Sequence, residues 1–193
     1  MVANTHKKIA VVTGGASGLG LAAACKLVAS GVAVAIWDHN AAALEAAREA
    51  MAHAGAVLTC EVDVANPEAV ERAALRTQTE LGHPHMLIAA AGVAGPVLPF
   101  MEWSLKDWQR VIDINLTGVH LTCQALIPAM VRAAATCAGS IGLIRSRNAN
   151  VAAATTARPN NTLEGFAIDN SDLCPFQASR TFHKCWDLPG RAD

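Results

Sequence analysis

From residue 7 to residue 144 the chain alternates short apolar runs with longer segments of helical texture, and this alternation restricts its fold more than any other feature. Ile9 to Thr13 is a near-continuous apolar run, as a strand buried on both faces requires. Leu21 to Ser30 has the length and alanine content of a helix, and Gly31 suits its C-terminal cap. Val32 to Trp37 reads as a second strand. Asn40 can cap a following helix whose Leu44, Ala47 and Met51 share one face, with Gly55 ending it. Ala56 to Val62 predicts a third strand. Asn66-Pro67-Glu68 then combines an N-cap, a proline at the first helical position and an early acid, starting a helix that runs to about Leu81-Gly82. Met86 to Ala90 is a fourth strand, followed by a glycine- and proline-rich loop from Gly92 to Pro99. Ser104 and Asp107 resemble a capping box that opens a long helix ending near Thr136, and Ser140 to Ile144 is a fifth strand.

Strands separated by helices of this length need crossover connections, which are almost always right-handed. The expected fold is therefore α/β, a doubly wound, parallel, Rossmann-like sheet. After Ile144 the pattern stops. Residues 145–193 hold five of the nine asparagines and five of the ten arginines, and prolines at 159, 175 and 189 interrupt what periodicity remains. The expected organisation is a dinucleotide-binding domain over 1–144 and a divergent, poorly ordered tail over 145–193, with the sheet incomplete at its C-terminal edge.

Composition narrows the partners. The 193 residues are 52% hydrophobic and 16% charged, enough for one domain with a real core. A net charge of -1 gives no electrostatic case for nucleic acid or an anionic membrane. No apolar run approaches the roughly 18 residues of a membrane span, and the apolar stretch after Lys8 is too short for a signal-peptide core. The six cysteines are scattered without a Cys-x-x-Cys pair, so free thiols in a cytoplasmic protein are expected rather than disulfides or zinc. His83-Pro84-His85 lacks a supporting carboxylate or cysteine pattern and reads as a polar loop, with no metal site expected. Trp103, Trp108 and Trp186 read as packing residues.

The strongest chemical signal is Thr13-Gly-Gly-Ala-Ser-Gly-Leu-Gly20, set between a strand and a helix. Gly14, Gly18 and Gly20 permit a tight turn and let backbone N–H groups approach a pyrophosphate, while the helix N-terminus adds partial positive charge. The spacing is G-x-x-x-G-x-G rather than the common G-x-G-x-x-G. Asp38 ends the second strand, 18 residues past Gly20. A carboxylate there can accept hydrogen bonds from both hydroxyls of an adenosine ribose and would repel a 2'-phosphate. With no Lys or Arg in the turn or just after Asp38, NAD is expected over NADP.

These residues resemble the short-chain dehydrogenases/reductases over about residues 7–146. The resemblance rests on TGGASGLG, Asp38, Asp63-Val64 after the third strand, IAAAG (88–92) and INLTGV (114–119). It implies hydride transfer between an alcohol or ketone and a nicotinamide. It also implies a cofactor site built from Thr13, Gly14, Ser17, Gly18, Leu19, Gly20, Asp38, Asp63, Val64, Ala90, Ala91 and Gly92. Asp63 would hold the adenine amino group, Val64 would line its pocket, and Ala91-Gly92 would pass under the cofactor. Asn115 would organise a water in the proton relay, and Ser146 would orient the substrate oxygen. Relatives commonly form homo-oligomers through the long helix carrying Asn115 and the helix carrying Tyr and Lys, the second of which is not recognisable in this sequence.

Two departures stand out. Ala89 replaces an Asn that usually braces the central strand. Beyond Ser146, the family's Tyr-x-x-x-Lys would fall at Pro159 and Leu163 or their neighbours, and the chain contains no tyrosine. The general acid/base of the reaction is a phenol whose pKa is lowered by an ammonium, and proline and leucine supply no proton. His183-Lys184 has no geometry that would replace it. Three readings remain open: an impaired NAD-dependent oxidoreductase, a non-catalytic NAD-binding or interaction protein, and a frame-altered or truncated product of a dehydrogenase gene. The third predicts a sheet whose fifth strand is an exposed edge.

Overall fold

In the computed structural model, the described residues are 8–134 and the backbones of 139–144, 152–157 and 163–168. The first four strands are β1 (Ile9–Thr13), β2 (Ala33–Asp38), β3 (Val57–Glu61) and β4 (Met86–Ala89). They lie parallel in the order β3-β2-β1-β4. Helices α1 (Gly18–Ala29), α2 (Ala41–Ala50) and α3 (Pro67–Glu80) make the crossovers, and the expected doubly wound sheet is present.

Each central strand is buried along its whole length, and adjacent residues project to opposite faces. Val12, Val34 and Ile36 join Ala24 and Val28 of α1 and Leu44 and Ala47 of α2 in one core. Val11, Ala35, Trp37 and Leu87 join Val70 and Ala74 of α3 and, on the same face, Leu126 and Met130 in the other. Strand β3, at the edge, alternates buried and half-exposed positions. Within the second core the indole N–H of Trp37 donates to Thr77 Oγ1 at 3.2 Å, which satisfies the only polar atom of a fully buried ring.

The expected caps are made. Asn40 accepts from Ala43 N–H, Asn66 from Ala69 N–H and Ser104 from Asp107 N–H. Two boundaries move. Helix α1 starts at Gly18, inside the glycine motif, because Ser17 is extended and its carbonyl already accepts from Leu21 N–H at 3.0 Å. The predicted long helix is instead α4 (Leu105–Ile112) and α5 (Gly118–Ala134), joined without a break by one π-helical stretch, Asp113–Thr117. Single π turns inside α-helices concentrate at functional sites, and this one carries Asn115.

One expectation is corrected here. Leu105–Ala133 taken together is long and apolar enough to cross a bilayer, with an 18-residue window of mean hydropathy 1.3. Its Leu126, Ala129, Met130 and Ala133 are buried, and Asp107, Arg110, Asp113 and Arg132 punctuate it, as suits a helix laid on a sheet. β5 (Gly139–Ile144) continues the sheet parallel to β4, whereas β6 (Ala152–Ala157) and β7 (Leu163–Ile168) add to it antiparallel. The parallel pattern thus breaks off at the C-terminal side, and β5 is not an outer edge.

Candidate functional site

The site forms where the C-terminal ends of β1, β2 and β4 meet the turn that follows β1. Gly14 has φ +62°, and a Cβ there would lie 2.7 Å from both N and Cα of Ala91. Only glycine lets the turn lie this close to the segment leaving β4. A Cβ on Gly20 would collide with the Gly14 carbonyl, so the first turn of α1 rests directly on the loop.

The N–H groups of this turn divide into two sets. Gly15 N–H donates to Trp37 O at 3.3 Å and Ala16 N–H to Asp38 Oδ2 at 3.1 Å, so both point back to the end of β2. Gly18, Leu19 and Gly20 precede the first intrahelical bond, so their N–H groups are the ones a helix start leaves for a ligand. There is no acidic residue in the first turn of α1, and Ser17 makes no cap bond with its hydroxyl. Nothing on the helix therefore competes with an anion.

Asp38 is buried, with its side chain 6% exposed. Besides Ala16 N–H, its carboxylate accepts from Asn40 N–H at 3.1 Å and lies 3.3 Å from Nδ1 of the exposed His39. Each carboxylate oxygen has two acceptor directions, so capacity is left for a hydroxyl. At the end of β4, Thr13 Oγ1 accepts from both Ala90 N–H and Ala91 N–H at 3.2 Å. Ala89 itself is buried and contributes no hydrogen bond from its side chain, and Thr13 braces the strand end instead.

Asn115 reaches this segment from the π turn. Its Oδ1 accepts from Val93 N–H at 2.8 Å and its Nδ2 donates to Val93 O at 2.9 Å. Gly92 sits against the same amide, where a Cβ would come within 3.2 Å of Oδ1. Asn115 thus grips the loop with its side chain. A second grip comes from Trp103, whose indole N–H donates to Leu98 O at 3.2 Å and whose ring fills the space a Cβ on Gly95 would need. Phe100 packs on Trp103 and Trp108 with ring centroids 6.0 and 5.9 Å apart.

Asp63 is exposed and its Oδ1 accepts from Ala65 N–H at 2.9 Å. It lines an open groove of about 650 Å³ with Leu105, Gln109, Arg110 and Ile114. Val64 is buried against Gly118, with Cγ2 2.7 Å from where a Cβ would stand, so its side chain serves the helix contact. His85 turns inward and its Nδ1 accepts from Ile9 N–H at 3.3 Å. Cys25, Cys60 and Cys123 are free thiols. Ser146, Pro159, His183 and Lys184 lie outside the described residues. The grip of Thr13 on residues 90 and 91 and the seat of Trp103 on Gly95 were not read from the sequence, since neither follows from local periodicity.

The cradle fits a dinucleotide: glycines where a Cβ would obstruct, three helix-start N–H groups, and a fixed carboxylate beyond them. The short chain dehydrogenase family model matches residues 8–158. The 2-dehydro-3-deoxy-L-rhamnonate dehydrogenase (NAD(+)) of Sphingomonas sp. is 40% identical over 124 residues, 64% of this chain and 49% of that protein. The D-threitol dehydrogenase of Mycolicibacterium smegmatis is 38% identical over 146 residues, 75% of this chain and 55% of that one. The solved L-sorbose reductase of Gluconobacter frateurii, complexed with NADPH and L-sorbose, superposes with a TM-score of 0.61 at 25% identity, over 66% of this chain and 49% of that one. The chain spans about half the length of these relatives. With its motifs, its parallel sheet and a family match over most of its residues, the chain belongs to the short chain dehydrogenase family.

Proposed function

We propose that the chain binds NAD in preference to NADP, at the ends of β1, β2 and β4. The observation that carries this is the Asp38 carboxylate, held rigidly at the end of β2 just beyond the phosphate-binding turn. Gly18 to Gly20 would take the pyrophosphate on their N–H groups, and Asp38 would accept from the adenosine ribose and repel a 2'-phosphate. Asp63 would face the adenine. Ala90, Ala91 and Gly92 would support the nicotinamide half, held in place by Thr13 and Asn115. When bound, the nicotinamide supplies or accepts the hydride exchanged with an alcohol or ketone carbon. Calorimetric titration is expected to show NAD⁺ binding and weaker NADP⁺ binding. No heat with either nucleotide would overturn the reading.

A second reading is that the chain binds the nucleotide without turning it over. It is favoured by the absence of any tyrosine in the sequence, which removes the residue the family uses as proton donor. Absorbance at 340 nm over a panel of alcohols and ketones separates the two, since robust turnover would refute the non-catalytic form. Self-association through the long helix is part of the proposal, and it is supported by exposed Leu105, Leu116 and Val131. Sedimentation should then show a dimer or larger species. A cytoplasmic setting, which suits free thiols, completes it.

A further inference from the structure

We propose that Asp38 is also a positioning residue for the phosphate-binding turn, setting its shape before any nucleotide arrives. The inference rests on the nucleotide-binding reading above. The turn between β1 and α1 is tied to β2 at two points, Gly15 N–H to Trp37 O and Ala16 N–H to Asp38 Oδ2. The first is long, at 3.3 Å, and joins two neutral groups. The second is buried and charge-assisted, and so the stronger of the two.

Ala16 is 6% exposed, so its N–H has no ready route to water if the carboxylate is removed. The turn would have to shift to satisfy it. Ser17 makes no cap bond with its side chain, so the side-chain tie that holds this turn is the one from Asp38. The carboxylate is in turn fixed by Asn40 N–H on its other oxygen, with the His39 ring beside it. Ala16 lies two residues before α1, so this tie fixes the approach of the chain to Gly18–Gly20, whose N–H groups precede the first intrahelical bond. A turn released from this tie would populate the binding shape only part of the time, and apparent affinity falls by that fraction. The loss would then reach ligands that never touch Asp38.

The test uses an NAD analogue lacking both hydroxyls of the adenosine ribose, on the full chain. If Asp38 acted only on the ribose, Asp38→Ala would bind this analogue as tightly as the unaltered protein does. The proposal expects binding weaker by roughly tenfold or more, and equal affinity overturns it. Amide exchange at Ala16, followed by NMR without nucleotide, reads the same tie independently of any NAD binding. The unaltered chain should protect this amide, and Asp38→Ala should speed its exchange by about tenfold while Val11 and Val34 stay unchanged. Should the variant fail to fold, the unaltered protein still decides, since an Ala16 amide exchanging as fast as an open loop refutes the proposal. Absence of NAD binding with a protected Ala16 would instead sink the functional reading and leave the tie standing.

Discussion

Replacing Asn115 with Ala removes both hydrogen bonds that join the π turn to Val93, donated at 2.8 and 2.9 Å. Each such bond contributes about 0.5–1.5 kcal/mol net, so the pair is worth about 2 kcal/mol. Both residues are half-buried, so water can partly replace the lost partners, and about 1.5 kcal/mol is the expected loss. For a urea slope of about 2 kcal/mol/M, the unfolding midpoint should fall by about 0.7 M, measured by circular dichroism. Asn115→Asp sharpens the test. It keeps the acceptor for Val93 N–H but sets a carboxylate oxygen against the Val93 carbonyl, so at pH 8 it should be at least as destabilised as Asn115→Ala. A carboxyl facing a carbonyl holds its proton more tightly folded than unfolded, so the folded state binds more protons and the deficit shrinks as pH falls. The deficit of Asn115→Ala should not change with pH. A midpoint shift below about 0.2 M for both variants would refute the view that this amide braces the loop.

Gly14→Ala should abolish nucleotide binding in titration calorimetry, because its Cβ meets Ala91 backbone at 2.7 Å and its φ of +62° is strained for alanine by about 1–2 kcal/mol. Gly95→Ala should destabilise the chain by about 1–3 kcal/mol because it drives into Trp103, and the same change should be nearly neutral in a Trp103→Ala background, which a double-mutant cycle of urea midpoints measures. Burial pushes the Cys60 thiol above its ordinary value of 9.0, against the opposing charge of Arg76. The folded state therefore keeps that proton longer, and stability relative to Cys60→Ala should be flat below about pH 9 and fall above it. With a thiol-specific chromogenic reagent, exposed Cys25 should react at once and Cys60 only on unfolding.

Much of this architecture was legible because it follows from local rules. The apolar runs of β1 and β2, the caps at Asn40, Asn66 and Ser104, and the glycine turn each depend on a few neighbouring residues. What could not be read depends on pairs far apart in sequence. Thr13 holds residues 90 and 91 across 77 and 78 positions, and Asn115 holds Val93 across 22. The π turn was equally hidden, since its residues have ordinary helical propensity and only the side-chain contact of Asn115 reveals what the extra residue positions. The close seat of Val64 on Gly118, 54 positions apart, was hidden by sequence separation, as the ties of Thr13 and Asn115 were.

The distribution of these contacts bears on whether nucleotide binding and turnover need occur together. Gly15 with Trp37, Ala16 with Asp38, Thr13 with Ala90 and Ala91, and Asn115 with Val93 all join residues between 13 and 115. Among the described residues, these ties set the shape of the cradle, and all are made by the segment that keeps the family motifs. The proton donor expected from the family pattern would lie beyond Ser146, outside the 13–115 segment that makes these ties. None of these ties involves a residue beyond 115, so among the described residues the cradle is shaped without the region where that donor is expected. Binding free energy and catalytic acceleration come from separable groups, so a chain of this kind can retain the first without the second.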